Sequence, residues 1–471
     1  MLPRPKFSLG AILALSPGAL NTGSVSCGPI ACARSLRCTL QKAPRNFWIA
    51  VLFLICSAWF VSRGPYRAIR YSTTGDFSTV YAAARCWIHG SNPYDRGAVK
   101  TELVNAGAPS DIQHDQDVNP SVYLPSAFPF VAPLAWLGWI PANILWCLLS
   151  LLVLGWSLIE ILKITNLTPG SKWLAACAVL LFSPVYVGIY DGNPSVLVIS
   201  LVMIAISKAA EERLLASGFL LGITLCFKPQ IAVCALCVLV VWKCTKPILI
   251  GGAVFAGAML IGIFVVSHFG HNWEWQQTEQ QNVAVSFRPG GQSDPRPESH
   301  VAWQLLNAQT LASYVVRDRR ACDAAVWLTG GLLTALWFAR KGAGEETRWR
   351  AAGFFAALTL IVTYHRYYDA QLLILLIPAL IQFWKNRQHV AAACIGAGLL
   401  VLAFPVQSIF AKRLAAAALS ASLAQFALLR NQPVAVLEIA VTLALCCVAQ
   451  PEARPNVPEE GETGTGVPAA F

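Results

Sequence analysis

Charge is what this chain has least of. Lys, Arg, Asp and Glu make up 13% of its 471 residues, where a soluble domain carries about 25%. With 56% hydrophobic residues beside that deficit, an ordinary soluble protein of this length is excluded. Acidic residues are absent from positions 1–46, which hold Arg4, Lys6, Arg34, Arg37, Lys42 and Arg45. There is no G-x-x-x-x-G-K-[ST] run, so the chain has no phosphate loop of that kind and is not itself an ATPase. Ten-residue stretches of alternating polarity are also lacking, which argues against a β-barrel. Nor can a disulfide form within the first long polar segment, where Cys86 is alone. Most of the 15 cysteines fall inside apolar runs, where they act as small apolar residues. Cys234 and Cys237 form a C-x-x-C within one such run, without the second pair that a metal or redox framework needs.

What is present is a series of apolar runs, each close to the roughly 20 residues that a bilayer-crossing helix needs. The expected class is an all-α polytopic membrane protein, with about 11 to 13 transmembrane helices and long outer loops. The net charge of +11 comes mainly from Lys and Arg in short segments between these runs, as the positive-inside rule predicts, and not from a nucleic-acid face. Residues 1–46 read as a basic cytoplasmic tail or an over-long gene start. Residues 47–449 read as the membrane-embedded domain, with outer loops at 63–125 and 267–320. Residues 450–471, rich in Pro, Glu and Gly, read as a disordered tail. Phe77, Tyr81, Ala84 and Ile88 recur at helical spacing and predict a helix lying along the membrane surface. Pro141 predicts a split between an Ala127–Ile140 segment and an Ala142–Ile164 segment. If both cross, the later charge pattern inverts, so one segment upstream is expected to be re-entrant or a further helix to be present.

Ionisable groups at membrane depth are costly and point to function. Asp76, just after the first apolar run, can take a proton from a substrate hydroxyl; the same placement also suits a helix N-cap. His365, Arg366 and Asp369 interrupt a pair of apolar runs beside Tyr364, Tyr367 and Tyr368. His365 or Arg366 can hold a phosphate, although an interfacial aromatic belt with a snorkelling Arg has the same composition. Lys228, in Phe227-Lys228-Pro229-Gln230, is a second phosphate ligand candidate or a snorkelling lysine. Asp191-Gly192-Asn193-Pro194 breaks a long apolar run, and such a break can line a site. Asp115-Gln116-Asp117 matches a metal-binding D-x-D, but three residues match too easily to carry weight. His268 and His271 lack a third ligand. No metal and no cofactor is expected.

The order of Gly75-Asp76-Phe77, Tyr81-x-Ala83-Ala84, Gly90-x-Asn92-Pro93-Tyr94, Tyr123-Leu124-Pro125, Gly192-Asn193, Lys228-Pro229-Gln230 and His365-x-Tyr367-x-Asp369 resembles glycosyltransferase family 87. It departs from that pattern at Ser126, where a second proline is usual, at Asn193, where glutamine is usual, and by one extra residue before Asp369. The resemblance implies a C-type membrane glycosyltransferase using a polyprenyl-phosphate sugar, similar to bacterial α-mannosyltransferases, in a bacterial inner membrane. It implies Asp76 as general base and an inverting transfer of a mannose-like hexose to a lipid or glycan hydroxyl at the outer face. It also implies substrate contacts from His365, Arg366, Lys228, Tyr94, Asn92, Tyr123, Asn193 and Asp369. The alternative from composition alone is a multi-pass secondary transporter or lipid flippase. Such proteins often carry internal repeats, and none is seen here.

Overall fold

The computed structural model describes residues 45–71, 75–115, 120–165, 167–269, 274–299, 301–340, 345–404 and 431–446. Residues 1–50 contribute to this only the opening of the first helix, and Val51 onward forms one unit. Among the described residues the chain is helical, and its one β pairing is an isolated antiparallel bridge between Leu305 and Arg366. The expected all-α class is therefore the observed one. The tails at 1–44 and 447–471, and residues 405–430, lie outside the described residues.

The helices are α1 (Arg45–Arg63), α2 (Pro65–Tyr71), α3 (Gly75–His89), α4 (Arg96–Asn105), α5 (Ser110–Asp115), α6 (Phe128–Ala135), α7 (Trp139–Ile164), α8 (Pro169–Leu181), α9 (Ser183–Tyr190) and α10 (Ser195–Ala210). They continue with α11 (Leu214–Phe227), α12 (Pro229–Val241), α13 (Thr245–Phe269), α14 (Glu274–Phe287), α15 (Gln309–Ala312), α16 (Arg319–Arg340) and α17 (Glu345–Val362). A 3₁₀ segment at Tyr367–Leu375 leads into α18 (Leu376–Lys385), followed by α19 (His389–Ala403) and α20 (Asn431–Leu445). Five spans among them are long and apolar enough to cross a membrane: Asn46–Arg70, Trp139–Ile164, Thr245–His268, Arg319–Arg340 and Tyr367–Lys385. A sixth arises if α8 and α9, bent by 51°, make one span. The bend falls at Phe182, whose backbone is extended, and Pro184 just after it has no N–H with which to continue the preceding helix.

Three local expectations change. The Ala127–Ile140 segment ends its helix at Ala135, with Pro133 inside it. Eight residues rise only about 12 Å, well short of a ~30 Å hydrocarbon core, so α6 does not cross by itself. Pro141 does not split anything, because it sits in the first turn of α7, where a missing N–H costs little; the break falls at Gly138 instead. Finally, α3 does not lie on a surface. Every residue from Phe77 to Ala84 is buried, so this part of the helix is covered on all sides, and the alanines let its neighbours approach closely.

That burial fixes α3 firmly. Phe77 stacks on Trp146 at 4.8 Å and on Trp139 at 5.8 Å. Tyr81 donates to the Leu137 carbonyl at 2.6 Å. Arg85 donates to the Ala135 carbonyl at 2.8 Å and to Glu102 at 2.9 Å. Behind it, α11 and α13 meet through Gly218 and Gly222, where an added Cβ would strike Ile250 and Val254; small residues allow this close helix contact in membranes. On α13, Gly262 faces the backbone of Pro125, and a Cβ there would lie 2.3 Å from the Pro125 carbonyl oxygen.

Gly262→Ala is accordingly expected to lower stability by about 1–3 kcal/mol, the cost of overpacking against backbone. Gly257→Ala, on the same helix with nothing within 4 Å, should leave the melting temperature in detergent unchanged or raised. Equal melting curves for the two variants would refute the contact.

Candidate active site

The site is built where three helix breaks meet. The first lies between α9 and α10. Gly192 adopts φ +64 there, a conformation that glycine takes without a Cβ clash. Trp146 Nε1 donates to the Gly192 carbonyl at 2.8 Å. The backbone N–H of Asp76 donates to the Asp191 carbonyl at 3.2 Å, tying the start of α3 to this turn. Asp76 thus sits in the first turn of α3, where the helix dipole favours a carboxylate.

Asn193 joins two charges. Its Nδ2 donates to Asp76 Oδ2 at 2.6 Å, and its Oδ1 accepts from Lys228 Nζ at 2.9 Å and from the Ser195 N–H at 2.8 Å. Lys228 occupies the second break, between α11 and α12, with φ −144 and ψ 81; Pro229 after it disfavours a helical conformation. Its ammonium donates to Ser195 Oγ at 2.5 Å, lies 3.7 Å from Asp369 Oδ1, and stands 5.3 Å from the centre of the Tyr368 ring. Lys228 is only 9% exposed and Asp369 only 3%.

Asp369 lies in the first turn of the 3₁₀ segment, just past the third break, which separates that segment from α17. It accepts a short hydrogen bond from Ser195 Oγ. It also pairs with His365 Nδ1 at 3.0 Å and accepts the Arg366 N–H at 3.1 Å. Arg366 turns the other way. Its Nε donates to the Tyr364 hydroxyl at 2.8 Å, and its Nη2 donates to Gln292 Oε1 at 2.6 Å.

A cavity of about 330 Å³ lies between these groups. Of the residues expected from the sequence, Asp76, Tyr123, Asn193, Lys228 and Arg366 line it. His365, Asp369, Tyr94 and Asn92 do not. His365 is fully buried, with one ring nitrogen on Asp369 and the other 2.8 Å from Thr363 Oγ1, so it holds Asp369 and does not face the cavity. Tyr94 is also fully buried; its hydroxyl donates to the Tyr123 carbonyl at 2.7 Å. Asn92 Oδ1 accepts the Tyr94 N–H at 3.0 Å, a local turn of the kind asparagine favours. Both therefore shape the wall that Tyr123 lines. Burial, and then the nearby charge of Asp76, push the Tyr123 phenol well above its ordinary pKa, so it stays a neutral hydroxyl.

Several participants carried no clear sequence signal. Ser195 follows the Gly192-Asn193-Pro194 break, which hints at it. Gln292 and Asn282 come from the second long polar segment. Asn282 Nδ2 bridges the carbonyls of Tyr94 at 2.9 Å and Ser121 at 3.1 Å. Asp95 is the N-cap of α4, accepting from the Ala98 N–H at 2.7 Å. Among the described residues no three His, Cys, Asp or Glu side chains gather as a metal site would require. Positions 116, 117 and 271 of the D-x-D and histidine motifs lie outside the described residues, while Cys234 and Cys237 are both free thiols.

The family model of glycosyltransferase family 87 matches residues 122–363, just over half of the chain. The matched stretch contains Tyr123, Asn193 and Lys228; Asp76, Asn92, Tyr94, His365, Arg366 and Asp369 fall outside it. No match was found to a curated protein or to a solved structure. A helical membrane protein with a polar cavity between broken helices, matched over half its length by this model, belongs to glycosyltransferase family 87.

Proposed function

We propose that the chain moves a mannose-like hexose from a polyprenyl-phosphate donor to a hydroxyl of a lipid or glycan acceptor, with inversion, and that Asp76 is the general base. The observation that carries this reading is one carboxylate, Asp76, and two cations, Lys228 and Arg366, on the wall of a single cavity. The acceptor hydroxyl would give its proton to Asp76 as its oxygen attacks the anomeric carbon. The bond from that carbon to the phosphate oxygen would break on the opposite side, and the lipid phosphate would leave with the electron pair. Charge growing on that phosphate is what preorganised cations stabilise. An ammonium has three N–H donors; those of Lys228 bonded to Asn193 and Ser195 leave one for a phosphate oxygen. Arg366 is held through Nε and Nη2, and among the described residues its Nη1 makes no bond.

The amide of Asn193 sets the spacing between base and cation, so that neither neutralises the other by direct contact. Fixed spacing of this kind lowers the barrier by orientation. With its charge held by the two cations, the leaving phosphate needs neither a metal nor a nucleotide. Lys and Arg cluster in the short links between apolar runs, at Lys208–Arg213, Arg340–Arg350 and Lys385–Arg387, which favours the outer face of a bacterial inner membrane for the cavity.

Transfer from synthetic prenyl-phosphate hexoses by the purified chain in detergent tests the reading. Asp76→Asn should lose about 10²–10⁴ in kcat with an unchanged melting temperature; a wild-type rate in this variant would move the base elsewhere. Lys228→Met should lose about 10²–10³ in kcat if its ammonium meets charge developing in the transition state. A variant slowed only through acceptor KM would remove Lys228 from that role. Asp369→Asn should cost about 3–5 kcal/mol of stability by leaving the Lys228 charge buried without its partner. The double variant Lys228→Met/Asp369→Asn should recover part of that loss, and strictly additive losses would deny the coupling.

A further inference from the structure

A second cavity, of about 490 Å³, adjoins the first, and Phe287, Ser293 and Tyr364 line both. Asn307 and Gln309 also line it. Asn307 is 4% exposed, and its Oδ1 is buried with no hydrogen-bond partner; Gln309 Oε1 is likewise buried and unpartnered. These amides do not lie on a loose loop. The Leu306 N–H donates to the His365 carbonyl and the Ala308 N–H to the Ile361 carbonyl, each at 2.9 Å, so the segment around Asn307 is laced to the chain that carries Tyr364 and Arg366. Buried polar atoms nearly always find partners. Two residues of one cavity wall that each carry a buried acceptor oxygen without a partner therefore mark where a ligand's donors belong.

The chemistry of that ligand follows from what it must supply. A prenyl or acyl tail has no donors and would leave both oxygens dry. A phosphate brings acceptors to these acceptors, and of Arg296, Arg317 and Arg319 on the same wall the first is already held by Asp294 at 2.9 Å and the last by Asp323 at 3.9 Å. Neutral hydroxyl groups fit, and Phe287, Tyr364 and Trp327 add aromatic surface against which the C–H faces of a sugar ring can pack. We infer that this cavity is a glycan subsite. It takes the sugar unit next to the one being glycosylated, so the acceptor carries at least two sugar units, with its reacting end beside Asp76. This inference rests on the transferase reading above, but its readout does not need turnover.

The test is binding of methyl glycosides of one, two and three mannose or glucose units to the full chain in a sugar-free detergent, followed by saturation-transfer NMR. The two-unit probe should bind about tenfold more tightly than the one-unit probe, the gain from one well-placed hydrogen bond with added packing. Asn307→Leu, of similar volume and without the orphaned oxygen, should weaken the two-unit probe about tenfold. It should leave the one-unit probe and the melting temperature unchanged. Binding that does not grow with length, or that Asn307→Leu leaves intact, would overturn the subsite. So would displacement of the two-unit probe by a prenyl alcohol, which would assign the cavity to a lipid tail. Length-dependent binding without any sugar transfer would keep the subsite and sink the proposed activity; transfer without length dependence would do the reverse.

Discussion

Everything around the cavity depends on keeping the Lys228–Asp369 ion pair satisfied inside an apolar bundle. Two charges buried this deeply cost several kcal/mol each to desolvate, and their attraction repays that only with good geometry and further hydrogen bonds. Those bonds come from Ser195, His365, Asn193 and the Arg366 backbone. Each donor or acceptor sits at a place where a helix stops. Gly192 and Pro194 end one helix before Ser195, Pro229 ends another at Lys228, and the Thr363–Arg366 segment ends the third. Broken helices at membrane depth are tolerated only where their freed backbone groups are buried in protein or face a polar cavity. The ion pair and the breaks therefore require each other, and together they bring three distant parts of the chain to one level.

Asp76 enters this arrangement from a different direction. It is carried by α3, whose stacking on Trp139 and Trp146 and whose anchoring through Tyr81 and Arg85 leave little freedom at its N-terminal turn. Two contacts then join α3 to the break: the Asp76 N–H on Asp191, and the Asp76 carboxylate on Asn193. A carboxylate on a rigid helix, set against a cation through one intervening amide, is the preorganised geometry that the role proposed for Asp76 requires. The second long polar segment closes the other side, with Gln292 gripping Arg366 and Asn282 gripping the Tyr94 and Ser121 carbonyls.

Much of this could be read before any coordinates. The scarcity of charge established a membrane bundle, and proline and glycine marked where helices stop: Phe227 ends α11 just before Lys228-Pro229, and Gly192 falls in a real break. Intramembrane polar residues pointed to Asp76, Asn193, Lys228 and Arg366, because burying such groups without purpose is expensive. Local pattern misled where its meaning depends on neighbours far along the chain. The helical spacing of Phe77, Tyr81, Ala84 and Ile88 was right about helix and wrong about surface, since every residue from Phe77 to Ala84 is buried. Pro141 was right as a helix signal and wrong as a split.

By itself, then, the sequence determined the class of the molecule, the helix breaks at Gly192 and Lys228 and the residue types available for chemistry. Composition, periodicity and backbone preference act over a few residues and need nothing else. Only the tertiary structure decided which of those residues share a cavity. It turned His365 inward onto Asp369 and made Tyr94 a support for Tyr123. It also brought in Ser195 and Gln292. The deciding contacts join residues as far apart in sequence as 117 positions for Asp76 and Asn193, and 174 for Ser195 and Asp369. No local rule relates such pairs; they meet because buried charges and freed backbone groups must all find partners at once.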